Sequence, residues 1–248
     1  MTLSDYLERL KGKRIAVLGI GVSNTPLIEL LLNAGCDVTA CDRSTPGAMG
    51  ERAERLVRLG AKLRLGEDYL KDLDADVIFR TPGMRPDLPE IEAAVSRGAV
   101  LTSEMEAFFE VCPCPIAAVT GSDGKTTTTT LIAEFLREAG YTVHLGGNIG
   151  TPLLDRAGTM RPGDIAVLEL SSFQLMTMKK SPHIAVVTNI SPNHLDVHRD
   201  MEEYVESKRN IFRFQGPEGR VVLNLDNTYT RAFTGDACGE VWVFSTHP

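Results

Sequence analysis

Short apolar runs alternate with stretches of helical spacing along almost the whole chain. Runs at 14–18, 37–41 and 76–79 read as buried strands, and 26–33, 52–59 and 89–96 read as the helices between them. Short apolar strands joined by helical crossovers predict a parallel sheet covered on both faces. A helical stretch at 104–110 leads into Cys112-Pro113-Cys114-Pro115, which reads as a hinge. Beyond it the logic repeats, with strands at 116–119, 142–145, 165–170, 184–188 and 221–225 and helices at 127–138 and 201–212. The expected architecture is α/β: a Rossmann-like domain over 1–103, then a second α/β domain over 104–248. Segment 240–244 reads as one more strand, after which the chain stops without a closing helix, so an incomplete second domain is expected.

Composition narrows the partners. With 248 residues the chain has ample length for a core. A net charge of −7 and the absence of a basic run argue against a nucleic-acid or membrane partner. The N-terminus mixes charged and apolar residues without a signal-peptide core, and no apolar stretch spans a bilayer, so a cytoplasmic protein is expected. The expected state is a monomer. The five cysteines lack zinc-site spacing and are assigned no function.

Chemistry concentrates where strands end. Run 116–119 feeds Thr120-Gly121-Ser122-Asp123-Gly124-Lys125-Thr126-Thr127, and a helix follows. Strand, glycine turn and helix N-terminus form a phosphate cradle: amides close on an anion, the helix dipole adds positive potential and Lys125 supplies a full charge. A hydroxyl at Thr126 or Thr127 suits Mg²⁺. Only two residues separate Gly121 from Gly124, so this is a shortened version of the usual loop. Threonines 126–130 open the helix against propensity, which phosphate and metal ligation would explain.

The first domain carries Gly19-Ile20-Gly21-Val22-Ser23-Asn24, with Asp42 closing the next strand. This is close to a dinucleotide fingerprint, but Asn24 replaces the third glycine and is expected to hinder close helix–strand packing. NAD, another phosphate-bearing ligand, or a plain tight turn all fit these residues.

In the second domain, Glu169 and the segment to Leu175 follow one strand, offering a carboxylate for Mg²⁺ directly or through water. Asn193-His194-Leu195-Asp196 follows the next. Lys208 shares a helical stripe with Met201, Tyr204, Val205, Ile211 and Phe212, where an unpaired ammonium is costly. Two explanations stand: snorkelling, or a lysine facing the active site that is paired with an anion or chemically modified.

Taken together, these segments resemble the Mur ligase family of cell-wall peptide synthetases, from about residue 13 to 225. The family marks are the shortened loop at 120–127, Gly146-Gly147-Asn148-Ile149-Gly150 and the segment 169–175, the last resembling the D-glutamate-adding branch. Asp123 stands where asparagine is usual, and Asn193 where aspartate is frequent. The resemblance implies a P-loop-type central ATPase domain in a ligase that joins D-glutamate to UDP-N-acetylmuramoyl-L-alanine. Its carboxylate attacks ATP to give an acyl phosphate, which the amine then opens. By the same resemblance, Gly121 to Thr127 hold ATP, and Thr126 and Glu169 serve one Mg²⁺. His194 and a carbamylated Lys208 serve a second, making Lys125, His194 and Lys208 the catalytic set. Val22, Ser23, Asp42, Arg43 and Thr81 lie near the uridine diphosphate, with Asn148 and His194 near the muramoyl-alanine. A third, C-terminal domain of the family has no counterpart here, which implies a fragment unable to complete ligation alone.

Other readings of the sequence are a sister ligase with another amino acid, a non-catalytic nucleotide-sugar-binding module, and an NAD-dependent dehydrogenase. The last leaves Lys125 unexplained.

Overall fold

In a computed structural model, which describes residues 1–247, the chain forms two compact units, 1–112 with 154–158 and 113–153 with 159–247. The first comprises α1 (Leu3–Leu10), β1 (Arg14–Leu18), α2 (Asn24–Asn33), β2 (Asp37–Asp42), α3 (Pro46–Met49), α4 (Glu51–Arg58), β3 (Lys62–Leu65), β4 (Val77–Arg80), α5 (Pro89–Ser96), β5 (Val100–Thr102) and α6 (Glu104–Val111). Its five strands are all parallel in the order β3-β2-β1-β4-β5. The order reverses beside β1, so the loops after β1 and β4 meet at the carboxyl edge, the usual ligand edge of such a sheet. Helix α6, which the expected boundary at 103/104 assigns to the second domain, clusters with the first and contacts α1. The division falls between Cys112 and Pro113, inside the expected hinge.

The second unit comprises β6 (Ile116–Thr120), α7 (Lys125–Glu138), β7 (Val143–Gly147), β8 (Ile165–Glu169), α8 (Ser172–Leu175), β9 (Ile184–Val187), α9 (Met201–Arg213), β10 (Arg220–Asn224), α10 (Thr228–Ala232) and β11 (Glu240–Phe244). Six parallel strands run β11-β10-β9-β6-β8-β7. Every residue of central β6 is buried, as a sheet covered on both faces requires. The loops after β6, β8 and β9 emerge side by side, which brings residues far apart in sequence to one edge.

Elements that the periodicity misses are short or lie at an edge. Strand β3 mixes charges with leucines, and β5 has three residues. Helix α1 is fixed by a capping box in which the Thr2 hydroxyl accepts from the Asp5 amide at 3.1 Å and the Asp5 carboxylate accepts from the Thr2 amide at 3.1 Å.

The single tryptophan, Trp242, lies on β11 of the second unit. Leu168 is fully buried on β8 in the same unit. Leu168→Ala is expected to lower stability by about 3 kcal/mol, read as an earlier urea midpoint in Trp242 fluorescence. Phe79→Ala, in the first core, is expected to leave that fluorescence transition nearly unmoved while shifting the helical circular dichroism. A parallel shift of both signals would instead mean that the units unfold together.

Candidate nucleotide-binding sites

The loop after β6 is pinned from β9. Gly121 has φ of +151°, and a Cβ there would stand 1.9 Å from the Thr188 hydroxyl, so no other residue fits. That hydroxyl donates to the Asp123 carbonyl at 2.7 Å, and Asn189 brackets the loop. The Ser122 amide donates to the Asn189 carbonyl at 2.8 Å, and the Asp123 amide to Asn189 Oδ1 at 3.0 Å. Two amides of the expected anion cradle are therefore already engaged by protein. The donors left for an anion are those of the first turn of α7, which have no partner within a helix. Gly124, left-handed at φ +76°, delivers the chain into that turn.

The threonine run divides by role. Thr126 donates from Oγ1 to Glu169 Oε2 at 2.7 Å, whereas Thr129 is fully buried and donates back to the Lys125 carbonyl at 2.8 Å. Ligation therefore does not explain the whole run: Thr129 satisfies its hydroxyl inside the helix. Lys125 Nζ donates to the Ser122 carbonyl at 2.9 Å.

Glu169 ends β8 almost fully buried, and its other oxygen accepts from Asn148 Nδ2 at 2.8 Å. Gly147 makes this approach possible: a Cβ there would lie 2.1 Å from the Glu169 carbonyl, which accepts from the Asn148 amide at 2.8 Å.

Lys208 is 2 % exposed, which removes snorkelling as its explanation. Its Nζ donates to the Gly121 carbonyl at 2.8 Å and lies 4.6 Å from the Tyr204 ring centre. Burial, and then repulsion from Lys125, pull its ammonium down to about 7, against the attraction of Asp123 and Glu169. A cavity of about 160 Å³ joins Gly121, Lys125, Asn148, Phe173, His194 and Lys208. His194 is exposed and left-handed at φ +55°, its ring centre 5.0 Å from that of Phe173. Phe173 in turn stacks on buried His198 at 5.2 Å, and the Tyr204 hydroxyl lies 2.9 Å from Ser122 Oγ. Tyr204, Thr188 and Asn189 had no functional role in the sequence reading. Their signal, polar groups at strand ends or on an apolar stripe, is shared with many structural residues.

The first unit uses the same devices. Gly19 has φ of +88°, and a Cβ there would meet Thr81 Cγ2 at 2.8 Å. Asn24 does not hinder packing: it is buried and donates from Nδ2 to the carbonyls of Leu18 (3.1 Å) and Gly19 (2.9 Å), tying the helix to the strand end. Asp42 accepts the Ile20 amide at 2.6 Å on one oxygen and the Ser44 amide at 2.8 Å on the other. Burial raises its carboxyl, but those amides, the Ser44 hydroxyl and Arg52 together hold it below the usual range. Asp42 thus braces two loops, a use unlike the ribose-binding carboxylate of a dinucleotide fold. Val22 and Arg43 are exposed and Ser23 and Thr81 half-buried along this edge. Arg80, which the sequence hides within an apolar strand, is 1 % exposed.

A shortened loop of phosphate-cradle form in one parallel-sheet unit and a glycine turn at the carboxyl edge of another define a two-unit α/β protein. The Mur ligase middle domain model matches residues 119–247, and the chain belongs to the Mur ligase family. It is similar to proteins called UDP-N-acetylmuramoylalanine–D-glutamate ligase from Acetivibrio thermocellus and Ruminiclostridium cellulolyticum. The identities are 57 % and 54 %, over 98 % of this chain and 52 % of each relative. The chain thus spans about half the length of these curated relatives. Among solved structures, a UDP-N-acetylmuramate:L-alanyl-gamma-D-glutamyl-meso-diaminopimelate ligase from Neisseria meningitides aligns with a TM-score of 0.60 at 21 % identity, over 94 % of this chain and 78 % of that one. The UDP-N-acetylmuramate-alanine ligase of Thermotoga maritima aligns at 0.54 and 22 %, over 95 % and 53 %. These likenesses show the fold.

A buried ammonium held by one carbonyl and one ring contributes little to stability and costs desolvation. Lys208→Met, similar in volume, is expected to leave the urea midpoint of the second unit unchanged or higher. A loss beyond about 1.5 kcal/mol, the upper end for one neutral hydrogen bond, would show that Lys208 is there for stability.

Proposed function

We propose that the chain carries the nucleotide-sugar and ATP sites of a ligase that joins D-glutamate to UDP-N-acetylmuramoyl-L-alanine. The observation that carries this reading is the convergence of Lys125, the Thr126–Glu169 pair, His194 and Lys208 around one phosphate loop. The names of the relatives support the choice of substrates. No helix among the described residues is long and apolar enough to cross a membrane.

In this reading the first turn of α7 and Lys125 bind the ATP phosphates, and the carboxylate of the muramoyl-alanine attacks the γ-phosphate in line. ADP leaves, and the amine of D-glutamate then attacks the acyl carbon and displaces inorganic phosphate, losing a proton as the amide forms. Such a transfer needs positioning and charge neutralisation more than a protein nucleophile. Among the described residues no three His, Cys, Asp or Glu side chains cluster as a ready-made metal cage. The Thr126 hydroxyl and Glu169 carboxylate nevertheless fit Mg²⁺, a hard cation that takes one or two protein oxygens and completes its shell with phosphate and water. Bound there, Mg²⁺ would neutralise phosphate charge. A second Mg²⁺ fits His194 and Lys208 only if Lys208 is carbamylated, because an ammonium has no lone pair and a carbamate offers hard oxygens. Asn148 positions Glu169 and faces the same cavity, where it would meet the muramoyl-alanine. In the first unit Val22, Ser23, Arg43 and Thr81 would contact the uridine diphosphate, with Asp42 holding their loops.

Thermal-shift and calorimetric titrations test the substrates. UDP-N-acetylmuramoyl-L-alanine and ATP–Mg²⁺ are expected to bind and NAD not to bind. Lys125→Ala is expected to weaken ATP–Mg²⁺ by about tenfold or more, roughly the value of one charge-assisted contact, and to leave the UDP-sugar unaffected. Tight NAD binding with no response to the UDP-sugar would refute the reading. For Lys208, ¹³C-bicarbonate is expected to give a carbamate resonance that Lys208→Met lacks. Its absence from a sample saturated with ATP–Mg²⁺ and UDP-sugar would remove the second metal site.

A further inference from the structure

We propose that Arg80 is a positioning residue for the anionic part of the first unit's ligand: it shapes the turn that receives the diphosphate, without touching the ligand. The inference rests on the nucleotide-sugar reading of that unit and adds to it a residue on which diphosphate affinity depends.

Arg80 ends β4, and its side chain is among the largest that the fold fully buries. Its guanidinium turns back under the chain that follows. Nη1 donates to the Pro82 carbonyl at 2.7 Å, to the Thr81 carbonyl at 3.2 Å and to the Met84 carbonyl. Residues 81–84 close a turn, with the Met84 amide donating to the Thr81 carbonyl at 3.1 Å. One end of the planar cation therefore gathers three carbonyls of this turn, sharing its two N–H groups among them, at a reach and orientation set by the flat guanidinium. Glu106 of α6 attracts the cation from within the same unit.

The turn is where the glycine motif is answered. The Thr81 amide donates to the Leu18 carbonyl at 2.9 Å, and the Thr81 methyl leaves room only for glycine at position 19. Arg80 therefore fixes the height of Thr81 against the loop after β1. Its action is also electrostatic. Carbonyl oxygens at a ligand edge repel phosphate, and here three of them are bonded to a cation. That cation is poorly screened because it is buried. Both effects act on the diphosphate, whereas uridine itself carries no charge and would lie toward Asp42 and Arg43.

Calorimetry on the chain with UDP, and competition with uridine, separate the possibilities. Arg80→Met is expected to weaken UDP by about tenfold, to change uridine by less than about twofold, and to leave ATP–Mg²⁺ binding intact. Arg80→Lys, which keeps the charge but not the reach and planarity of the guanidinium, is expected to fall between the variant and the parent. If Arg80→Met does not fold, Arg80→Lys carries the test alone, with UDP weakened severalfold and uridine unchanged. Equal losses for UDP and uridine, or parental UDP affinity in both variants, would overturn the role of Arg80. Failure of the unsubstituted chain to bind UDP would instead overturn the nucleotide-sugar reading.

Discussion

Lack of room at Gly121 governs the second unit. The loop after β6 can reach its position only because no side chain stands between it and the Thr188 hydroxyl. Once there, Asn189 and Thr188 of the neighbouring strand exit take up its amides and carbonyls. The loop is thus part of the sheet edge and not a free flap. Its rigidity means that the first turn of α7 presents donors in a set orientation, the condition under which preorganised dipoles act without reorganising. Glu169 reaches the same place by a second close approach, of Gly147 to its carbonyl. Parallel topology supplies the neighbours, and two glycines supply the ångströms.

The first unit solves a similar problem with different chemistry. Its glycine turn is held by a carboxylate, Asp42, and an amide side chain, Asn24, and the facing turn after β4 by a guanidinium, Arg80, each satisfying backbone groups at a strand end. Polar residues buried at a strand end read in sequence as ligand-binding residues, and here they also brace loops. The two uses are compatible, since a loop must be held before it can hold anything.

This is why the sequence disclosed the architecture better than the site. Strands such as 14–18 and 240–244 carry four contiguous apolar residues after one charged residue, and their pairing follows from handedness and crossover length. The phosphate loop was legible because its glycines, lysine and threonines are adjacent. Asn24 was misjudged because spacing describes what a glycine permits, not what an amide can replace by bonding the same carbonyls. Arg80 and Thr188 were invisible because their meaning lies in partners on other segments. Lys208 stood between these cases: its stripe disclosed the burial, but its contact with Gly121, 87 positions away, could come only from the fold.

That contact sets the electrostatic character of the cavity. Lys125 and Lys208 both rest on carbonyls of the loop, at Ser122 and Gly121, and burial, with repulsion from Lys125 added to it, lowers the Lys208 ammonium. Glu169 is the buried carboxylate at this edge, and it is already bonded to Thr126 and Asn148. A hydrophobic residue at 208 would pack at lower cost. Retaining a buried nitrogen here therefore has a physical rationale in what the cavity receives. On the proposed reading, a polyphosphate brings the negative charge that the two lysines favour, and carbamylation of Lys208 would add an anionic oxygen donor where a metal is needed. The low dielectric that makes the isolated lysine unfavourable also strengthens either interaction. The instability of the site by itself and its affinity for charged ligands thus have one cause.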